Sequence, residues 1–280
     1  MALISENIVE EKLADKTILV KIEGHVATLV MNRPEVMNAL NHTMFEEYLA
    51  ALDEINRNDD IRVAIITGAG KAFCASADVD YESKGKDALL PDTDIEEGIR
   101  YIRHTAQAIT RSIIDLEKPT IAMVNGLAVG DGFDWALACD LRVGSTNARF
   151  MNAFIRMGIA PNSGAPWLYP KLMGLTKAFE LLYTGDWIMA EEADRIGLFN
   201  KLVSPEELEK ETMALASKIA EQAPIPIRMM KRQVYQGLET SLNIILDLAG
   251  DAEMICVKTE DHKEALAAFR AKRKPVFNGK

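Results

Sequence analysis

The sequence has 280 residues, 48% of them hydrophobic, and a formal net charge of −10. That is enough apolar mass for one large domain or a domain with an appendage, and the acidic balance argues against a nucleic-acid partner, whose phosphates need a basic surface. Cys74, Cys139 and Cys256 stand at no metal-ligand spacing. The opening MALISENIVEEKLADK lacks a signal peptide's basic and apolar regions, and no apolar run approaches the roughly 20 residues that span a bilayer; the expectation is a cytoplasmic protein with reduced thiols and no membrane partner.

Two runs, TILVKIE (17–23) and HVATLVM (25–31), alternate apolar and polar residues around Gly24 and predict a hairpin. A helix is expected from about Thr43, where Met44, Phe45, Tyr48, Leu49, Leu52 and Ile55 recur at helical spacing. VAIIT (63–67) reads as a buried strand closed by Gly68-Ala69-Gly70, and the polar stretch 80–97 as a loop. One helix is expected from about Ile95 to Leu116, then a second buried strand at TIAMV (120–124). Strand, glycine turn and helix recur, which predicts α/β architecture with parallel pairing. After Val203 the pattern is helix only, starting at Ser204-Pro205-Glu206-Glu207 and broken at Ala223-Pro224-Ile225-Pro226. The division is a core domain at 1–203 and a helical region at 204–280.

Two small-residue turns each follow a buried strand: GKAFCASAD (70–78) and GLAVGDG (126–132). Small residues let backbone N–H groups approach a ligand, and a helix N-terminus adds unpaired donors. Two N–H groups converging on one oxygen would make an oxyanion hole; turns packed tightly for their own sake are the alternative. None of His25, His42, His104 and His262 stands in a nucleophile-like context, which argues against a catalytic triad. Cys74 reads as a small buried hydrophobe.

In this order the motifs MNRPEVMNALN (31–41), TGAGKAFCASADV (67–79), KPTIAMVNGLAVGDGFDWALACDLRV (118–143) and the closing FRAKRKPVFNGK resemble the crotonase (enoyl-CoA hydratase/isomerase) family. The family pattern there is R-P-x-x-x-N-A-L, F-x-A-G-A-D, N-G-x-A-x-G-G-G-x-E-L and K-R-x-P-x-F. The resemblance implies a crotonase-like ββα spiral with a C-terminal helical trimerisation region, assembled as a homotrimer or a dimer of trimers. It implies an acyl-CoA substrate with no separate cofactor or metal, coenzyme A being part of the substrate. The thioester oxygen would sit between the N–H groups of Ala77 and Asp131, and Asn38, Ala39, Lys71, Ala75 and Asp78 fall where the family wraps pantetheine and adenine.

The departures bear on the reaction. Where family hydratases carry two glutamates, this sequence has Asp134 and Phe154, and where some relatives carry an aspartate it has Asn162. Water addition by paired carboxylates is thereby in question. Asp134 is expected to move protons, its carboxyl pKa raised by burial and by Asp131 one helical turn away. Asp131 either caps the helix or joins the chemistry, with Arg156 as a candidate partner. Phe154, Trp135 and Trp167 suggest a bulky or cyclic acyl group. The segment GIAPNSGAPWLYPKLMG (158–174) also resembles family hydrolases that cleave a carbon–carbon bond of cyclic β-diketones, although their two histidines and aspartate are missing. The reading is an enoyl-CoA hydratase/isomerase-type lyase or isomerase; the alternatives are that carbon–carbon bond hydrolase and a catalytically silent subunit.

Overall fold

The computed structural model describes residues 16–78 and 94–280. The acidic opening up to residue 15, Val79 and most of the expected polar loop lie outside the described residues. Strands β1 (Ile18–Glu23) and β2 (Val26–Met31) form the expected hairpin, paired antiparallel across Gly24, whose φ of 58° suits a residue without a side chain. The next helix, His42–Arg57, starts where Asn41 accepts a capping hydrogen bond from the Met44 N–H at 2.9 Å.

From here the chain alternates between two sheets. Strand β3 (Val63–Gly68) lies in a six-stranded sheet and β4 (Ala72–Cys74) in a four-stranded one. The same step recurs from β5 (Thr120–Val124) to β6 (Leu127–Val129), and from β7 (Leu141–Ser145) to β8 (Arg149–Met151). Each strand pair leads into a helical segment, so the chain advances as a spiral of ββα turns. Strands β9 (Trp187–Met189) and β10 (Lys201–Val203) close the sheets, which run in the orders β4-β6-β8-β9 and β1-β2-β3-β5-β7-β10. Pairing is parallel except for β1 with β2 and β8 with β9.

Strand β3 shows why these runs are apolar throughout. Its successive side chains point to opposite faces, and Ala64 and Ile66 enter the main core while Val63 and Ile65 enter a second one. That second core is closed by Leu208, Ala216 and Ala220 of the helix Leu208–Ala220. The change of pattern at Val203 therefore marks a change of element type, and the first C-terminal helix completes the sheet's cover.

Three expectations need correction. The helix foreseen from Ile95 to Leu116 is two helices, Ile95–His104 and Ala106–Asp115, broken at Thr105, where φ is −116° and ψ −102°. Propensity gave no sign of the break, because threonine carries none of the signal of glycine or proline. Residues 95–97, assigned to the polar loop, open the first of these helices after the cap Asp94. The helix expected from Ser204 begins at Leu208, after a turn closed by Glu207 N–H donating to Ser204 O at 3.1 Å. The proline-rich break is as expected, with Pro224 opening the helix Pro224–Gly237. Asp140 ties this helix to the core, accepting from Lys231 Nζ and Tyr235 Oη, both at 2.9 Å.

Candidate active site

Because β4, β6 and β8 are parallel neighbours, their C-terminal ends share one edge. The turns leaving them carry Ala75–Ala77, Gly130–Asp131 and Ala153–Phe154, which form one side of a cavity of about 280 Å³. Tyr101, Ile102 and Thr105 from the two broken helices face them, with Met157, Ile159 and Asn162 closing the rim. The wall is mainly apolar, with a few polar groups, as small-molecule sites are.

Both small-residue turns are shaped for close approach. Gly130 (φ 51°) precedes the helix Asp131–Ala138. A Cβ on Gly132 would lie 2.5 Å from the Cys74 carbonyl oxygen and 2.7 Å from its Cβ. Replacing Gly132 with alanine should push the helix off the β4 turn. We expect a loss of about 1–3 kcal/mol of stability and a fall in turnover, read by thermal unfolding and steady-state kinetics. A variant as stable and active as the parent would show that this contact is not needed.

The opposite turn contains the residue the sequence reading passed over. Ser76 has φ 70°, a left-handed conformation uncommon for a residue with a side chain. Its Oγ donates to Asp131 Oδ2 at 2.9 Å and accepts from the Asp131 N–H at 3.3 Å. The signal was present in the alignment of patterns, since A-S-A-D puts serine where the family has glycine. The Asp131 N–H, expected to be open to a ligand, thus has a long hydrogen bond to a hydroxyl. The Ala77 N–H makes no hydrogen bond among the described residues.

Asp131 is the first residue of its helix and is buried. Its carboxylate does not cap the first turn: the Asp134 N–H donates to Gly130 O, Oδ2 is held by Ser76, and Oδ1 has no partner among the described residues. Burial raises its pKa, opposed by the hydroxyls of Ser163 and Ser76. Arg156, considered as its partner, is exposed and pairs with Asp186 at 3.6 Å.

Asp134 is fully buried and does not line the cavity. It accepts from Ser163 Oγ at 2.7 Å and from the Ala165 N–H at 3.1 Å, at the start of the helix Ala165–Thr184. Its carboxyl is pushed up to about 7, chiefly by burial and, after the opposing Ser163 hydrogen bond, by the charge of Asp131. Tyr169 lies beside it with its phenol pKa raised by burial. Ser163 and Tyr169 were also missed; nothing local in the sequence marks either as a neighbour of Asp134.

The remaining expected residues divide. Ala75, Ala77, Asp131, Phe154 and Asn162 come together in the cavity wall, and Asn162 Oδ1 is buried without a partner among the described residues. Trp135 does not reach it: the ring is wholly buried in the core, its centroid 5.2 Å from that of Tyr48. Trp135 packs edge-on to Phe45, centroids 6.2 Å apart, so it backs a ring that lines the cavity without reaching the cavity itself. Trp167 is also elsewhere, its Nε1 donating to Glu239 at 3.1 Å. Asn38 is buried and spends its side chain on the backbone, donating to the carbonyls of Ala69, Ala72 and Phe73. Arg33 joins Ala39 and Asp78, donating to the Ala39 carbonyl at 2.5 Å and pairing with the Asp78 carboxylate at 3.2 Å. Lys71 is exposed. Among the described residues, no group of three or more His, Cys, Asp or Glu could hold a metal, and no helix is long and apolar enough to cross a membrane.

A spiral of ββα turns with small-residue turns gathered at one sheet edge above an apolar cavity defines the crotonase class of protein. A family model described as Enoyl-CoA hydratase/isomerase matches residues 21–280, and the chain belongs to that family. The crotonyl-CoA hydratase of Syntrophomonas wolfei subsp. wolfei is 37% identical over 269 residues, covering 96% of this chain and 100% of that protein. The 1,2-epoxyphenylacetyl-CoA isomerase of Escherichia coli is 32% identical over 263 residues, covering 94% and 98%. The crystal structure of an enoyl-CoA hydratase from Bacillus anthracis superposes with a TM-score of 0.87 at 32% identity, covering 95% of this chain and 100% of that one.

Proposed function

We propose that this chain moves a double bond within an acyl-CoA thioester by a one-base proton transfer, as an isomerase and not a hydratase. The observation that carries this reading is the cavity wall: among the described residues it holds one carboxylate, Asp131, together with the ring of Phe154, the residue that by the family resemblance takes the position of the hydratases' second acid. Water addition asks for an acid and a base on an activated water. A proton shift along the acyl chain needs one carboxyl that removes a proton and returns it elsewhere.

In this mechanism the thioester oxygen lies between the N–H groups of Ala77 and Asp131, displacing the Ser76 hydroxyl from its 3.3 Å contact. The Asp131 carboxylate takes a proton from the carbon beyond the double bond. The electron pair moves along the chain, and negative charge arrives on the thioester oxygen. Asp131 is then a neutral acid, so it does not oppose the enolate beside it, and the site carries one negative charge throughout. Returning the proton to the carbon next to the thioester completes the shift. Asn162 orients the substrate, and Phe154, Met157 and Ile159 accommodate the acyl group, which the aromatic ring suits to a bulky or cyclic form. Ala39, Lys71, Ala75 and Asp78 lie along the coenzyme A path, with Asn38 shaping its backbone. The exposed apolar side chains of the last helices, Leu242, Leu246 and Phe269 among them, favour assembly as a homotrimer or dimer of trimers.

The reading agrees with the presence of an isomerase among the relatives. The test is incubation with a 3-enoyl-CoA and a 2-enoyl-CoA in ¹⁸O-labelled water, followed by mass spectrometry. Double-bond migration without label is expected; a labelled 3-hydroxyacyl-CoA as the main product would restore the hydratase reading.

A further inference from the structure

Behind Asp131 the helix carries a second buried carboxyl that the mechanism above does not use. Asp131 and Asp134 stand three residues apart, so they share a helix face about 4.5 Å apart along the axis. Each has its Oδ2 held by a serine hydroxyl, Ser76 for Asp131 and Ser163 for Asp134, and each leaves its Oδ1 buried without a partner among the described residues. Two buried carboxylates with unpaired oxygens are costly as a pair of anions, and sharing one proton removes much of that cost.

Resting on the isomerase reading, we propose that Asp134 and Ser163 are positioning residues that set the charge of Asp131. The two carboxyls act as one coupled acid pair, holding one proton between them while the enzyme works.

Among the described residues, the groups around the pair carry no other charge that could do this. Cys74 on the β4 side and Tyr169 on the following helix are the titratable groups packed against the pair, and burial raises both pKa values, leaving them neutral. Tyr101 across the cavity is pushed up to about 12, chiefly by burial. The nearby cations are committed elsewhere, Arg156 to Asp186 and Arg142 to the carbonyls of Leu198 and Cys139. Ser163 Oγ gives its one hydrogen to Asp134 at 2.7 Å, so towards a neighbouring protonated carboxyl it can act only as an acceptor. Its backbone is fixed as well, the Thr110 hydroxyl donating to its carbonyl at 2.6 Å. Burial pushes the Asp134 carboxyl up, in the direction that lets it hold the shared proton.

The test is the pH dependence of kcat/KM for a 3-enoyl-CoA in two variants. The first proton to leave the pair does so beside a neutral neighbour, and the second, shared proton leaves against the charge of the first. Asp134→Asn keeps a neutral neighbour, so the acidic limb stays nearly in place while the alkaline limb, set by loss of the shared proton, disappears. Ser163→Ala removes the donor to ionised Asp134, so the alkaline limb moves to higher pH. An alkaline limb that persists in Asp134→Asn, or that stays put in Ser163→Ala, overturns the proposal, because loss of rigidity alone would lower the rate without moving it. A second readout needs no turnover. In infrared titration of the unliganded protein, the two carboxyls should lose their protons in two coupled steps, reduced to one ordinary step in Asp134→Asn. Independent titration with isomerisation intact would overturn this inference alone. Coupled titration without turnover of any acyl-CoA would leave the pair standing and reject the isomerase reading.

Discussion

Asp131→Asn should reduce turnover of an acyl-CoA substrate by about 10²–10⁴-fold while leaving thioester binding within a few-fold of the parent. The amide keeps the backbone N–H at the first position of its helix, so one donor to the thioester oxygen survives. It also keeps an oxygen able to accept from Ser76, whose contact with Asp131 Oδ2 is 2.9 Å. What it loses is the ability to take a proton. Steady-state kinetics with calorimetry of coenzyme A thioester binding separate the two effects. An unchanged kcat would remove Asp131 from the chemistry. Equal loss of binding and rate would give it a positioning role instead.

Asn38→Ala should cost roughly 3 kcal/mol or more, because its buried side chain makes four hydrogen bonds to backbone. It accepts from the Arg33 N–H at 2.9 Å and donates to the carbonyls of Ala69, Ala72 and Phe73 at 3.0, 2.8 and 3.3 Å. Truncation removes all four bonds at once, although Asn125 still donates to the Ala72 carbonyl, and it places alanine at φ 58°, where asparagine is better tolerated. A fall in melting temperature of roughly 6–12 °C follows for a domain of this size. Since β4 and the turn to Ala77 continue directly from Phe73, activity should fall with it. A stable Asn38→Ala protein that had lost only coenzyme A affinity would instead return this residue to direct ligand contact.

Much of the fold was legible because its signals are local. The buried strands at 63–68 and 120–124 showed as short apolar runs, and the hairpin around Gly24 as alternation. The break at Thr105 was not legible, since no residue there disfavours a helix strongly. The helix Leu208–Ala220 could be foreseen, but its role as cover for Val63 and Ile65 could not, because that contact joins residues far apart in the chain.

The site divides in the same way. Sequence by itself determined the order of motifs, the family, and the loss of the hydratases' paired glutamates to Asp134 and Phe154. It also placed two acids on one helical turn. Tertiary structure alone decided which acid meets the cavity, because depth along a helix depends on what packs around it. Ser76, 55 residues before Asp131, holds the first acid at the wall; Ser163, 29 residues after Asp134, encloses the second behind it. Contacts of such sequence separation leave no periodicity to read, and they turn two similar aspartates into groups with different tasks.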